Sequence, residues 1–395
     1  MAKTILVYVI CGIFYQILSL NVAMAFWPSF HANYQRNGQT EEKGPLEPVL
    51  KWQFEGLGDY ASAVVGKDGT VYAAGKDTLY AIQPTGKEKW RYHHPDSHFS
   101  PPSLGPDGTV YITTVTKDSK THIVSLDPDK GKKKWQSIAS QGFTAEYWVS
   151  HIAVSSDGMI YVAAADNLSA FAASGIKKWT FQFPANFGTV APSLSPDEKT
   201  IYVYRRNRDG LYAFNIDGTL KWHDKSPYYS DFSSPTVASD GTIYLLDAAE
   251  QNLHAINPDG KKKWTTHFSN KHVGTSNVAI GKDGTLYMDI ANSGSSNGGM
   301  IYGINQKDGG VKWKFEIKDG YIGTAIAVDG RGNLYYAAGD ATIYCLKPDG
   351  ALQWKYSVAK EHRFFYSSPA ISNETIYAVT ERTGILFAIG LSIQK

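Results

Sequence analysis

Cysteine is nearly missing from this chain of 395 residues: Cys11 and Cys345 are the only two. Cys11 lies in the N-terminal apolar stretch, so the rest of the chain has one thiol, no internal disulfide and no Cys-x-x-Cys-His for haem. Lone Cys345, in "TIYCLKPDG", reads as a small buried hydrophobe rather than a nucleophile. Charge of one sign is equally scarce. Lys and Arg number 39 against 37 Asp and Glu, a net charge of +2, and the lysines are scattered through turns. No concentrated basic stripe marks a nucleic-acid partner. Gly-x-Ser-x-Gly, phosphate-loop, His-Glu-x-x-His and EF-hand patterns are all missing. His93, His94 and His151 have no partners at ligand spacing, which points to no metal site.

The one long apolar run is at the start, "MAKTILVYVICGIFYQILSLNVAMAFW". Lys3, the apolar residues 4–15 and Ala23-Met24-Ala25 form the three parts of a secretory signal, with cleavage expected after Ala25. An uncleaved N-terminal membrane anchor is the alternative, although Gln16, Ser19 and Asn21 interrupt the run. The expected organisation is a signal peptide at 1–25, a leader at 26–48 and one folded unit at 49–395. The protein is then secreted or periplasmic, with no stable membrane span once the signal is removed.

Aromatic residues are plentiful, with 25 Tyr and 10 Trp, and they recur in register. "DGTVYAAGKDTLYAIQPTGKEKW" (68–90) returns as "DGTVYITTVTKDSKTHIVSLDPDKGKKKW" (107–135) and in five further full copies, the last ending at Trp354. An eighth copy, "ETIYAVTERTGILFAIG" (374–390), stops before its tryptophan, and "VLKWQFEG" (49–56) supplies Trp52 ahead of the first. Trp52, Trp90, Trp135, Trp179, Trp222, Trp264, Trp313 and Trp354 follow one another at intervals of 38 to 49 residues, the period of a four-stranded propeller blade. In "TLYAI" both faces of the strand are apolar, so the sheet must be covered on both sides. The expected fold is an all-β, eight-bladed propeller with four-stranded antiparallel blades. The segment around Trp52 completes the last blade and closes the ring.

These phrases resemble the quinoprotein-alcohol-dehydrogenase-like propellers with PQQ-like repeats, a family that includes BamB-type assembly proteins. That family's blade phrase, Ala-x-Asp-x-x-x-Gly-x-x-x-Trp, is kept in spacing by Ser125, Asp127, Gly131 and Trp135 and by Gly303, Asn305, Gly309 and Trp313. The resemblance implies that the eight tryptophans dock between blades. The opening "WPSFHANYQRNG" (27–38) is similar to the leader that often precedes such propellers. Enzymatic members use pyrroloquinoline quinone (PQQ) with Ca²⁺ and often an adjacent-cysteine disulfide, which this chain lacks. The scaffold carries unrelated activities, so three functions stay open: a non-catalytic binding or scaffold module, a PQQ-dependent dehydrogenase-like enzyme, and a BamB-like envelope assembly factor. The first is the reading adopted here, with no cofactor and no catalytic residue.

The segments leading into each first strand place an aromatic or His before small residues: Tyr60, Phe99, Trp148, Phe187, Tyr229, His272, Tyr321 and Phe365. At one mouth of a propeller they would form a ring suited to a protein or peptide, or to a glycan, since flat rings give contact area at low entropic cost. A monomer is expected. "YRRNRDG" (204–210) and "ANSGSSNGG" (291–299) read as solvated surface loops.

Overall fold

The computed structural model describes residues 26–391 apart from 59–61, 96, 142–151, 165, 185–187, 189, 207–208, 227–232, 248–249, 269–271, 274–276, 292–297, 320–322, 361–362 and 365–367, with backbone alone at 272–273. The described residues form eight antiparallel sheets and no helix. Numbered in chain order, blades 1 to 7 span 62–93, 97–140, 152–182, 193–224, 236–267, 272–317 and 327–357. Blade 8 combines 370–390 with 49–54.

Local chemistry sets each blade. In blade 1 the strands Ser62–Val65, Val71–Ala74, Thr78–Ile82 and Glu88–His93 pair in sequence. Between the first two, the Asp68 carboxylate accepts the Thr70 N–H at 3.0 Å and its hydroxyl at 2.6 Å. Gly69 completes that turn at φ 79°, where a Cβ would be strained. The same Asp-to-Thr closure recurs at Asp107, Asp240 and Asp283. Inner strands are buried on both faces and the fourth strand alternates with solvent, as expected of sheets stacked radially against one another. Blades 2 and 6 depart from four strands. Their innermost strand is broken in two, with Ser97–Phe99 and His272–Val273 as extra pieces.

One cross-strand stack explains the repeated residues. Tyr72 pairs with Ala81, which pairs with Trp90. All three side chains share a face, and the small middle residue lets the two rings meet over it. Tyr–Trp centroid distances are 5.7 to 6.2 Å in all eight blades. The middle residue is Ser125 in blade 2, Gly303 in blade 6 and Cys345 in blade 7. A Cβ on Gly303 would lie 2.3 Å from the Trp313 ring. Cys345 thus fills a small-residue position, fully buried, with its thiol pushed up to about 12 by burial.

Seven of the eight indoles then cross to the following blade, Trp52 of blade 8 to blade 1 among them, while Trp354 donates to the leader carbonyl of Pro45 at 3.2 Å. Trp90 donates to the Pro128 carbonyl at 2.9 Å and Trp135 to Ala173 at 2.8 Å. Trp179, Trp222, Trp264 and Trp313 do the same to Ile216, Pro258, Gln306 and Pro348. The turn beneath each of these seven indoles holds a glycine because nothing larger fits: a Cβ on Gly131 would come within 2.5 Å of Trp90.

The ring closes at its ends. Val49–Phe54 pairs antiparallel with Leu386–Gly390, from Val49 opposite Gly390 to Phe54 opposite Leu386. Trp52 packs on Tyr377 of blade 8 and donates to the Pro84 carbonyl of blade 1 at 2.8 Å. One residue therefore holds both sides of the seam, over a core shared by Val65 and Ala63 with Ile371 and Ala378.

Candidate functional site

Antiparallel pairing fixes which loops share an end of the ring. First strands run from the lead-in segments toward the Asp-Gly turns, and third strands run the same way. The lead-ins and middle hairpins therefore line one end, the mouth. The Asp-Gly turns and the turns before each tryptophan line the other, the turn end.

The turn end is closed by the chain itself. Trp27 exchanges two 2.9 Å backbone hydrogen bonds with Val65. Beyond it, the final residue of one innermost strand after another donates its N–H to a leader carbonyl: Leu104 to Pro28, Leu194 to Tyr34, Val237 to Gln35, Ile280 to Asn37 and Val328 to Gly38, all at 2.7 to 2.9 Å. Glu374 of blade 8 donates to Lys43. The innermost strands are sheet edges at the axis, and the leader satisfies groups that would otherwise be buried without partners.

Blade 3 is reached by a side chain. Arg36, wholly buried, donates from Nη2 to the Ile152 carbonyl at 3.1 Å, from Nε to Pro192 at 3.1 Å and from Nη1 to Phe30 at 3.0 Å. No carboxylate is among these partners. Three carbonyl dipoles hold the cation, whose pKa burial lowers to about 10, so it stays charged at neutral pH. The Arg36 carbonyl accepts the Thr236 hydroxyl at 3.0 Å. His31, Ala32 and Arg36 have φ of 61°, 73° and 53°, strain that the surrounding contacts must offset. Sequence reading missed this plug. Its only signal was a Trp, a His and an Arg in a segment without the blade pattern.

His31, also fully buried, lies with Nδ1 2.6 Å from the Arg36 carbonyl and Nε2 3.1 Å from that of Ile326. Burial, helped by the nearby guanidinium, lowers its pKa from 6.5 to about 4 although both carbonyls pull upward. The unfolded chain therefore takes up a proton near pH 6.5 that the folded ring refuses until about pH 4. Stability should fall as pH drops through that window, by about 3 kcal/mol in full. Urea midpoints of wild type and His31→Gln, compared at pH 7 and pH 4.5, check this at roughly those values. The wild type should lose clearly more than the variant, and parallel losses would contradict it.

At the mouth, most of the predicted aromatics lie outside the described residues: Tyr60, Trp148, Phe187, Tyr229, Tyr321 and Phe365. His272 is placed on a short strand opposite Ala291. Phe99 is described, and its ring is 7% exposed, stacked on Tyr92 between blades 1 and 2. Polar stitches cross the blades here. Asn277 of blade 6 accepts the Ser234 N–H of blade 5 at 2.8 Å, and its Nδ2 has no partner among the described residues. Tyr336 of blade 7 donates to the buried Asp289 of blade 6 at 3.0 Å. A cleft of about 190 Å³ opens beside Phe99, lined by Lys76, Asp77, Ser97, His98, Thr116 and Lys117.

Arg205 corrects the reading of 204–210 as a solvated loop. It is fully buried, paired with Asp209 at 2.8 Å and set over the Phe183 ring at 4.0 Å. The middle of 291–299 and His151 lie outside the described residues. Among the described residues no three His, Cys, Asp or Glu side chains come together to hold a metal, and the buried thiol has no neighbouring cysteine.

Comparison with known proteins places this architecture. By fold the chain is similar to the quinohemoprotein alcohol dehydrogenase of Comamonas testosteroni, with a TM-score of 0.73 and 12% identity over 94% of this chain and 81% of that one. It is similar to a europium-containing methanol dehydrogenase, with a TM-score of 0.70 and 12% identity over 93% and 98%. It is also similar to BamB from Moraxella catarrhalis, with a TM-score of 0.66 and 14% identity over 87% and 100%. Enzymes and a non-enzyme are both present, and identities this low do not choose between them. No match is found among curated proteins by sequence. The family profile described as outer membrane protein assembly factor BamB matches residues 47–150, 119–285 and 297–390. An eight-bladed ring with this match over most of its length belongs to that family.

Proposed function

We propose that this protein is an exported, non-catalytic recognition module of the cell envelope that binds a polypeptide at the mouth of its propeller. The observation that carries the reading is the leader. It fills the turn end of the axis with buried Trp27, His31 and Arg36, so a partner approaching along the axis meets the mouth. Aromatic lead-ins and the mixed charges of the cleft between blades 1 and 2 suit a polypeptide, which offers backbone hydrogen bonds and side chains of both signs. Membership of the BamB family supports a protein partner in the same way.

Peptides from envelope β-barrel proteins should bind the purified protein, and Tyr60→Ala with Tyr321→Ala should weaken that binding by about tenfold or more at unchanged stability. Phe99→Ala is a poor probe, because its buried ring contributes to folding. Glycan binding without peptide binding would redirect the reading to a lectin-like role. A thermal shift of several degrees with PQQ and Ca²⁺ would redirect it to the dehydrogenase-like alternative.

A further inference from the structure

The turn end carries a second surface, independent of the mouth. Fourth strands begin there, and their lysines commonly meet carboxylates. Lys89 lies 3.4 Å from Asp68 and 3.2 Å from Asp129, Lys263 is 3.4 Å from Asp240, and Lys312 is 3.3 Å from Asp283. Blade 4 has one such lysine without a carboxylate, Lys221, bonded to the Thr200 hydroxyl at 3.3 Å, and blades 2 and 3 gather several. Lys130, Lys132, Lys133, Lys134, Lys177 and Lys178 are all exposed, and none makes an ion pair with a carboxylate among the described residues. Lys134, at the position of Lys89, bonds to the Thr109 hydroxyl at 3.0 Å, and Lys133 to the Gln136 side-chain Oε1 at 3.1 Å. The acids of the same turn are occupied. Asp127 accepts the N–H groups of Asp129 and Lys130, and Asp129 faces Lys89.

Beside these lysines a single aliphatic side chain projects. Ile176, at the tip of the blade 3 turn, is 63% exposed, more than any other large apolar residue described. Ser137 and Trp135 bond to the carbonyls of Gly175 and Ala173, which holds that tip against the strand carrying Lys133 and Lys134. Phe26, the first described residue, also lies at this end, with the Lys67 ammonium 5.4 Å from its ring centroid.

We propose that the turn end of blades 2 and 3 docks on an anionic bilayer, lysines over acidic headgroups and Ile176 within the interfacial layer. Asp107 and Asp127 offset part of this charge at longer range, but six exposed lysines without a direct ion pair on a rigid arc still gain from a negative surface potential, and a lone isoleucine on a projecting turn suits soft lipid better than a preformed protein pocket. Docking by this end leaves the mouth facing away from the bilayer.

Co-sedimentation tests the proposal, using the chain from Phe26 onward, which carries every contact of the ring described above. The probes are vesicles of phosphatidylcholine alone and of phosphatidylcholine with about one third phosphatidylglycerol. Binding is expected only to the anionic vesicles, with loss at high salt. Lys132→Glu, Lys133→Glu and Lys177→Glu together should weaken it by about 100-fold, and Ile176→Ala by about fivefold. The control Lys307→Glu with Lys347→Glu, on blades 6 and 7, should bind as wild type. Matched thermal melts exclude misfolding. Absence of binding to anionic vesicles, or equal loss in the control, would overturn the proposal. So would binding of acidic peptides in preference to vesicles.

Discussion

Arg36→Ala is expected to lower the stability of the ring by about 3–5 kcal/mol. The guanidinium is buried at the axis and satisfies carbonyls from blade 3, the lead-in of blade 4 and the leader itself. Alanine would take the guanidinium donor from the Pro192 carbonyl, leave Ile152 and Phe30 with only the Ser103 and Ser29 hydroxyls at 3.2 and 3.3 Å, and open a void where the longest side chain of the plug had been. Lysine should recover only part of the loss, because one ammonium cannot reproduce three donors spread over a planar fork. Urea unfolding at pH 7, followed through the ten tryptophans, measures both variants. A shift below about 1 kcal/mol for Arg36→Ala would mean that the axis is not held together at this residue.

Trp52→Ala should cost about 3–5 kcal/mol as well, but its effect should be placed differently. Trp52 loses its contact with Tyr377, its hydrogen bond to Pro84 and its cover over Gly86, where a Cβ would lie 2.7 Å from the indole. The seam lies inside blade 8, where Val49–Phe54 and Leu386–Gly390 are joined by no continuous chain, so loosening the Trp52–Tyr377 contact favours opening between these two strands. Trp313→Ala removes the same kind of contact between blades 6 and 7, which the chain still connects. Amide exchange should separate the two. In Trp52→Ala the residues Leu386–Gly390 should lose protection first. In Trp313→Ala they should keep it. Identical exchange maps would contradict a seam latched by this tryptophan.

The blade was legible in the sequence because its determinants are side chains that recur at fixed spacing. Tyr, the small residue and Trp stand at intervals set by two hairpins, and the structure stacks them on one face of each sheet. The positive-φ glycines and Asp-to-Thr turns were legible for the same reason, since few residue types satisfy such turns. The plug was not legible. Its partners are backbone carbonyls and N–H groups from 38 to more than 300 residues away, such as Val65 for Trp27 and Glu374 for Lys43. A carbonyl carries no residue identity to read. The basic surface was hidden differently. Lys130, Lys134 and Lys178 look scattered along the chain, and only the stacking of consecutive blades brings their turns side by side. Arg205 misled because a run of arginines in a loop suggests solvent, whereas Asp209 and Phe183 draw the first of them inward.

The account depends most on the leader occupying the axis and capping the innermost strands. Hydrogen exchange at the amides of Leu104, Leu194, Val237, Ile280 and Val328 tests this directly, because each donates to a leader carbonyl. These five amides should exchange as slowly as those in the middle strands of their blades, and together become fast when residues 26–44 are removed. Rapid exchange at these positions in the intact protein would show an unplugged axis and contradict the account.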